Sequence, residues 1–574
     1  MNTFVDLLEE RASELGRARL FCYLSDGVST EETLSYGAAL ARARRIGAAL
    51  AEMAAPGGRV LLLYPSGLEF IEAFLGTMCA GLIPVPAYPP NTREPNASVA
   101  HLSRIVQNCS AELVLTTRVL ARKLLSDGEI SSSLLSRPTW ICVEDLDLPS
   151  ANDWRRPDIG PDSVALLQYT SGSTANPKGT MLTHGGLIAN LKAIQEAFVA
   201  GKHGFTVASW LPLYHDLGLI GCVLAPVYTR AQLVFMSPQH FIQRPIRWLR
   251  MIDKYGAYIS GAPNFAFDLC SRAITDTAKQ TLDLSRWKIA ANCSEPIRLS
   301  TLKRFEAAFA PSGFRWTSFC PAYGLAESTL LVTAARPRTG PTVIQASDPG
   351  KGDAAAERSC VSSGRAPSGV EIAIVDPVTL RVADEGEIWV SSRSLAIGYW
   401  NNSAQSAATF VAGVPGLKGG PWLRTGDLGR MHHGELVVTG RLKDLIIVGG
   451  RKIHPQDVED VVQSIDRRIR QSAGSAFGCV KDGTEQLMLV QEVSNCTREQ
   501  LSELAKRARI AVYDNLQILL HTIAFVPAGG VPKTLNGKLR RSQCKALFET
   551  AELPGAELFS SQASEALHGS DNHY

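Results

Sequence analysis

The sequence predicts an α/β protein, with a large N-terminal domain of mostly parallel βαβ-type sheets and a smaller α+β C-terminal domain. Three observations predict it. The chain has 574 residues, too many for one ordinary core, so two or more domains are expected. Strand-length apolar runs alternate with helix-period segments through residues 1–440, the pattern of βαβ units whose sheets are covered on both faces. Beyond residue 440 the strands shorten and a compact α+β pattern closes near residue 550.

The elements follow in order. The N-terminal Met1-Asn2-Thr3-Phe4-Val5-Asp6-Leu7-Leu8-Glu9-Glu10-Arg11 is an amphipathic helix with acids near its start, without the basic region and apolar core of a signal peptide. Helix-period residues over 37–53 precede the strand Arg59-Val60-Leu61-Leu62-Leu63-Tyr64, and a second helical pattern, 67–80, leads into 82–90. Val164 to Leu167 reads as a buried strand that empties into a loop of hydroxyls and glycines, Thr170-Ser171-Gly172-Ser173-Thr174-Ala175-Asn176-Pro177-Lys178-Gly179. A helix is expected to follow from near His184, with Leu187, Ile188, Leu191 and Ile194 on one face. Residues 206–210 and 232–236 are strand-like and 244–255 helical. After Gly440-Arg441-Leu442-Lys443-Asp444 come the strand Leu445 to Val448, the turn Gly449-Gly450 and a helix carrying Val458, Val461 and Val462. Strands at 487–490 and 522–526 and a helix at 498–514 complete the small domain, 441–550. Residues 551–574, rich in Ala, Ser, Glu and Gly without an apolar stripe, are expected to form a mobile tail.

Composition bounds the partners. Hydrophobic content of 45% with 20% charged residues is that of a soluble globular protein. Fifty-eight basic residues against 55 acidic ones leave a net charge of +3, and no concentrated basic face argues for nucleic acid. The densest cluster, Lys538, Arg540, Arg541 and Lys545, taken alone is a solvated surface. Twelve scattered cysteines, with no Cys-x-x-Cys pair, make neither a zinc nor a disulfide framework and suggest a reducing compartment. No apolar run reaches the roughly 18 residues of a membrane span, so a cytoplasmic location is expected.

A strand, a hydroxyl-rich loop, a lysine and a helix form a usual arrangement for holding phosphate: glycine lets the backbone come close, N–H and hydroxyl groups donate, and Lys178 supplies charge. Alone, such a loop is equally a surface turn. Five further stretches share this ambiguity. Trp210-Leu211-Pro212-Leu213-Tyr214-His215-Asp216-Leu217-Gly218-Leu219 sets polar groups amid large apolar ones, as where a carboxylate head meets an oily pocket; alone, it is a helix start with a satisfied His215. Asn292-Cys293-Ser294-Glu295-Pro296 is a strand end feeding a turn. In Tyr323-Gly324-Leu325-Ala326-Glu327 the aromatic can stack on a purine and the glutamate can hold magnesium through oxygen. In Thr425-Gly426-Asp427, an aspartate on a turn can accept the hydroxyls of a ribose. Last, Leu535-Asn536-Gly537-Lys538 presents a lysine on a glycine turn.

In this order the stretches are specific, and the chain resembles the adenylate-forming superfamily of acyl-CoA synthetases, peptide-synthetase adenylation domains and luciferases from about residue 5 to 550. It is most similar to the fatty acyl-AMP ligase branch, on Ala87-Tyr88-Pro89-Pro90, Leu213-Tyr214-His215-Asp216-Leu217-Gly218-Leu219 and Val361-Ser362-Ser363-Gly364. Residues 336–359 look like that branch's inserted element. The resemblance implies activation of a fatty acid by ATP to an acyl-adenylate with release of pyrophosphate, then acyl transfer to the phosphopantetheine thiol of an acyl carrier protein acting in trans. It implies ATP and Mg2+ as cofactors, with Thr170, Ser171, Gly172, Ser173, Thr174 and Lys178 around the phosphates. It places Glu327 on magnesium, Ser294, Glu295, Tyr323 and Gly324 at adenine, Asp427 at the ribose and Arg441 at ribose or phosphate. Lys538, with Glu327 and His215, would serve catalysis, and Lys443 would be the hinge. Ser294 stands where many relatives carry Gly or Ala. A fatty acyl-CoA ligase using free coenzyme A, and a catalytically silent acyl or nucleotide binder, are the alternatives. Pocket depth is expected to draw on residues distant in sequence, Trp210, Ile220 and Phe265 among them.

Overall fold

The computed structural model describes residues 2–90, 95–125, 134–169, 177–346, 358–413, 419–448, 451–481, 484–533 and 539–560. It divides into two compact units, residues 1–344, 360–425 and 430–437 in the first and 345–359, 426–429 and 438–574 in the second.

The first unit is built on β1 (Arg19–Leu24), β2 (Glu31–Ser35), β3 (Arg59–Leu63), β4 (Ile83–Ala87), β5 (Leu113–Thr116), β6 (Thr139–Cys142), β7 (Val164–Tyr169), β8 (Gly179–Thr183), β9 (Thr206–Ser209), β10 (Gln232–Phe235), β11 (Ile259–Ala262), β12 (Ile289–Asn292), β13 (Phe319–Gly324) and β14 (Leu331–Ala334). An eight-stranded sheet runs β14-β13-β12-β11-β9-β10-β1-β2. Its six inner strands are mutually parallel and both edges are antiparallel. A second sheet, β4-β3-β5-β6, is wholly parallel. The inner strands are apolar at their centres, Leu61, Leu62, Val207, Ala208, Leu233 and Val234 all being buried, as sheets covered on both faces require. Aromatic packing fills one side: Trp210 stacks on Phe241 with centroids 3.9 Å apart, and Trp248 meets Trp287 edge to face at 5.3 Å.

Two expectations need correction here. The hydroxyl-rich loop does not lead straight into a helix. It joins β7 to β8 as an antiparallel hairpin, and the helix His184–Phe198 begins only after β8. Gly179 to Thr183, buried except for a half-buried Met181, pairs antiparallel with β7, and Thr183 then caps the helix by accepting the Gly186 N–H at 3.0 Å. Leu187, Leu191 and Ile194 do face the core from that helix. Asp427, in turn, is not on a turn; it lies inside the strand Trp422–His432, which passes through a left-handed Gly426 (φ +70°) without ending.

The second unit carries a four-stranded sheet of Ile469–Lys481, Thr484–Val493, Leu520–Val526 and Glu557–Ser560, flanked by the helices Pro455–Ser464, Arg498–Leu516 and Arg541–Glu549. The long helix starts in a capping box between Thr497 and Gln500. Glu557–Ser560 falls in the stretch expected to be a mobile tail. It pairs antiparallel with Leu520–Val526, and Phe559 meets Phe525 at 5.9 Å. Four residues with one inward aromatic are too short a signal to read. Residues 561–574 lie outside the described residues. All twelve cysteines are free thiols, and among the described residues no helix is long and apolar enough to cross a membrane.

Candidate functional site

Thr170, Ser171, Gly172, Ser173 and Thr174 lie outside the described residues, so the loop is known by what holds its two ends. On the β7 side, Gln168 donates from Nε2 to the Tyr214 carbonyl at 3.0 Å, and Tyr169 donates its hydroxyl to Asn108 Oδ1 at 2.5 Å. Burial pushes the Tyr169 and Tyr214 phenols well above their ordinary range, so both stay protonated. On the β8 side, the ammonium of Lys178 sits 5.3 Å from the ring centroid of Tyr399, a cation–π placement.

Tyr399 is the residue the sequence reading missed. Residues 397–400 run antiparallel to β8: Met181 N–H donates to the Gly398 carbonyl at 3.0 Å and Trp400 N–H to that of Gly179 at 2.8 Å. This strap lays the Tyr399 ring beside Lys178 and sends its hydroxyl to Glu327 Oε1 at 2.8 Å. The Ala396 N–H donates to the Glu327 carbonyl at 2.8 Å, so the strap holds that glutamate by backbone and side chain. Burial, reinforced by the Glu327 charge, holds the Tyr399 phenol far above its usual value and keeps it a donor. Nothing in a Gly-Tyr-Trp triplet distant by 72 residues announces such a contact.

Glu327 itself rides on a single 3-10 turn, Ala326–Ser328, just past β13. The backbone there is strained. Thr329, a β-branched residue, has φ +67° and ψ −63°, and the Leu330 N–H donates to the Ser328 carbonyl at 2.8 Å, closing a γ-turn of the rare strained hand. The Thr329 hydroxyl, donating to the Ser394 carbonyl at 2.6 Å, holds that conformation. Gly324 is obligatory, because a Cβ there would lie 1.7 Å from the Leu330 carbonyl oxygen. Strain held this firmly marks a turn whose shape matters.

Between the sheet and the helix His184–Phe198 lies a cavity of about 100 Å³. Asp216, Ser294, Tyr323 and Gly324 line one end; Phe198, Val199, Phe205 and Thr229 line the other; Val207, Leu217, Cys222, Ile259 and Leu331 are among the residues between. Ser294 sits at φ +68°, where glycine is ordinarily favoured. Asp216 Oδ1 accepts the Leu217 N–H at 2.7 Å and lies 2.5 Å from His215 Nδ1, which puts His215 beside the cavity head without lining it. Trp210 and Ile220 are buried in the core and, with Phe265, lie off the cavity wall, against expectation. Trp210 is taken up by Phe241, Trp248 and Phe265. Glu295, expected at adenine, accepts the Phe265 N–H at 2.9 Å and so caps the helix Asn264–Ala273.

In the second unit, Asp427 and Arg441 meet as an ion pair, Oδ1 to Nε at 2.9 Å. Lys443 stands on the one-turn element Leu442–Asp444. Lys538 lies outside the described residues, but Lys533 and Leu539 on either side form an antiparallel bridge, and the Arg540 N–H donates to the Pro532 carbonyl at 2.9 Å. Arg541 donates to the buried Glu459 carboxylate at 2.5 Å, anchoring the following helix. Among the described residues no three His, Cys, Asp or Glu side chains group as a metal cage. Magnesium needs none when phosphates supply most of its oxygens, and a lone carboxylate aimed by a neighbouring hydroxyl, as Glu327 is, fits that mode.

Comparison with known proteins gives a consistent picture. A family model described as AMP-binding enzyme matches residues 8–400. The chain is 38% identical over 566 residues to a medium-chain-fatty-acid–[acyl-carrier-protein] ligase of Moorena producens, covering 95% of each chain. It is 34% identical to a long-chain-fatty-acid–AMP ligase of Mycobacterium marinum, over 94% of this chain and 96% of that one. Among solved structures, a fatty acyl-adenylate ligase from Legionella pneumophila in complex with acyl adenylate and pyrophosphate is 37% identical. It superimposes with a TM-score of 0.73 over 97% of this chain and 98% of that one.

Proposed function

The chain belongs to the AMP-binding enzyme family, and on that premise we propose how its residues divide the work of a fatty acyl-AMP ligase. The enzyme activates a fatty acid with ATP and passes the acyl group to an acyl carrier protein. The observation that carries this reading is the apolar cavity ending at Asp216, Ser294, Tyr323 and Gly324, an oily sleeve with a polar head.

In the first step a carboxylate oxygen of the fatty acid attacks the α-phosphorus of ATP, the bond to the bridging oxygen breaks, and pyrophosphate leaves. Two anions must be brought together, so catalysis is mostly alignment and charge screening. The loop Thr170 to Lys178 cradles the phosphates. Lys178 is held at the Tyr399 ring, and Tyr323 and Ser294 form the adenine side of the cavity head. Glu327, aimed by the Tyr399 hydroxyl, is the group that would hold Mg2+, which when bound neutralises charge on the phosphates. Lys538 bridges the α-phosphate and the carboxylate, while Asp427 and Arg441 serve the ribose. In the second step the phosphopantetheine thiolate attacks the acyl carbonyl and AMP departs. We assign residues 1–440 to the nucleotide- and acyl-binding domain, 441–550 to a domain that rotates about Lys443, and 336–359 to an insertion favouring a carrier protein over free coenzyme A.

The test is direct: purified protein with ATP, Mg2+ and dodecanoic acid, then coenzyme A or holo-carrier protein offered separately. Acyl-carrier product is expected, and acyl-CoA as the main product would overturn the acceptor.

A further inference from the structure

We propose that Gly221 and Cys222, turned toward the cavity by a π-helix, form with Gly261 and Ala291 the waist through which the acyl chain passes, and that Cys222 is a specificity-determining residue for long chains. The inference rests on the fatty-acid reading of the cavity and adds to it the residue that keeps the lower half open.

The helical wall has an uncommon form. Leu217–Leu224 is a π-helix, continued by the α-helix Ala225–Thr229. Such helices occur mostly as single turns, often at functional sites, so eight residues is long for one. The Ala225 N–H donates to the Ile220 carbonyl, five residues back. The sequence favours this wider turn. Pro226 has no N–H to give the Cys222 carbonyl, and in an α-helix its ring would press on that carbonyl.

The consequence is rotational. With more than four residues to the turn, the wall positions after Leu217 are Gly221 and Cys222, then Ala225 and Pro226, then Thr229. A turn of 3.6 residues from Leu217 would present Ile220 and Leu224 instead, and both are buried in the core. The π-helix thus sets a hydrogen and a thiol where an α-helix would set two branched side chains.

The opposite wall is small at the same level. Gly261 is level with Ala291, and a Cβ on Gly261 would lie 3.1 Å from the Ala291 Cβ. The Cys222 thiol meets Ser209, two residues beyond Val207, just as Gly261 stands two beyond Ile259, the partner of Val207. Burial pushes that thiol up to about 11, so it lines the wall as a neutral group. The depth of the waist follows from the register. Ala291 is level with Cys320, and Gly324 at the head stands four residues further along β13, about 13 Å at roughly 3.3 Å per residue. An extended chain advances about 1.25 Å per carbon, so hexanoic acid spans about 6 Å and hexadecanoic acid about 19 Å. The first ends above the waist, and the second has to pass it.

The experiment is pyrophosphate release by the full-length enzyme with saturated acids from 6 to 16 carbons, comparing kcat/KM. Cys222→Leu should lower the value for 16 carbons, relative to the shortest acid used, at least about 10-fold. Cys222→Val, which adds less bulk and guards against misfolding, should lower it about three-fold, and Cys222→Ala should leave it within about two-fold. Ile220→Val is the control for orientation: it removes a methyl from the core and should lower the melting temperature with chain preference unmoved. Activity on no fatty acid at all would overturn the fatty-acid reading and the waist together. A wild type inactive beyond eight carbons, leucine and valine variants whose rates fall uniformly or not at all, or an equal shift from Ile220→Val would overturn the waist and leave that reading standing.

Discussion

Tyr399→Phe removes one oxygen and leaves the ring where it is. In the native protein that oxygen donates to Glu327 Oε1 at 2.8 Å, while the ring lies 5.3 Å from the Lys178 ammonium. Tyr399 is only 5% exposed, so water does not readily replace the lost donor. A hydrogen bond to a charged group contributes about 1.5–3 kcal/mol. Glu327 is only half-buried, which favours the lower end, about 1.5–2 kcal/mol, or roughly 10- to 30-fold in an equilibrium. Part of that loss falls on folding and part on the aim of the carboxylate. The apparent Mg2+ requirement of pyrophosphate release should therefore rise about 5- to 30-fold at saturating ATP and dodecanoate. The KM for ATP at saturating Mg2+ should change little, because the ring still faces Lys178. Tyr399→Leu removes the ring too and should raise both. Calorimetric titration of Mg2+ into the ATP-bound protein gives the same comparison without turnover. A phenylalanine variant whose Mg2+ dependence stays within about two-fold of wild type, by rate and by calorimetry, would refute the assignment of Tyr399 as the residue that aims Glu327.

Three more perturbations separate the remaining assignments. Lys538→Ala should abolish adenylate formation while leaving ATP binding largely intact; pyrophosphate release within a few-fold of wild type would sink the role given to Lys538. Lys443→Pro, which locks φ near −65°, should slow acyl transfer to holo-carrier at least about 10-fold in single turnover, and an unchanged transfer rate would count against the hinge. His184 is buried at the start of its helix, accepts the Phe4 N–H on Nδ1 at 3.3 Å, and is lowered by desolvation from 6.5 to about 4. The folded protein thus keeps it neutral where the unfolded chain takes up a proton, so stability is lost as pH falls from 6.5 toward 4 and the loss levels off below. The span corresponds to about 3 kcal/mol. Urea unfolding midpoints between pH 7 and 4 should fall less steeply in His184→Gln, and parallel curves would show that this histidine is not the source.

Much of the fold was legible because its signals are local. The helix from His184 and the strands at 59, 164, 206 and 232 begin where apolar periodicity and capping residues place them. The failures share one cause. The β7–β8 hairpin, the strand through Asp427 and the edge strand Glu557–Ser560 are each decided by a pairing partner distant in sequence. The site divides in the same way. Tyr323, Gly324 and Glu327 are contiguous enough to read as a motif, whereas Tyr399 carries no motif of its own. Phe205 reads simply as the residue before a strand, and only the register of β9 against β11, β12 and β13 shows that it stands beneath a cavity.

That division has a physical consequence for how the reaction is held. Of the groups that read as motifs and are proposed to meet ATP, those described sit on strained pieces: a γ-turn beside Glu327 and a left-handed Ser294. Such pieces keep their shape only when their surroundings over-determine them. Here the surroundings are the segment 394–400, which accepts the Thr329 hydroxyl at Ser394, donates from Ala396 to the Glu327 carbonyl, pairs with β8 and places Tyr399 between Glu327 and Lys178. A substitution in that segment should therefore disturb the lysine end and the glutamate end of the phosphate site together.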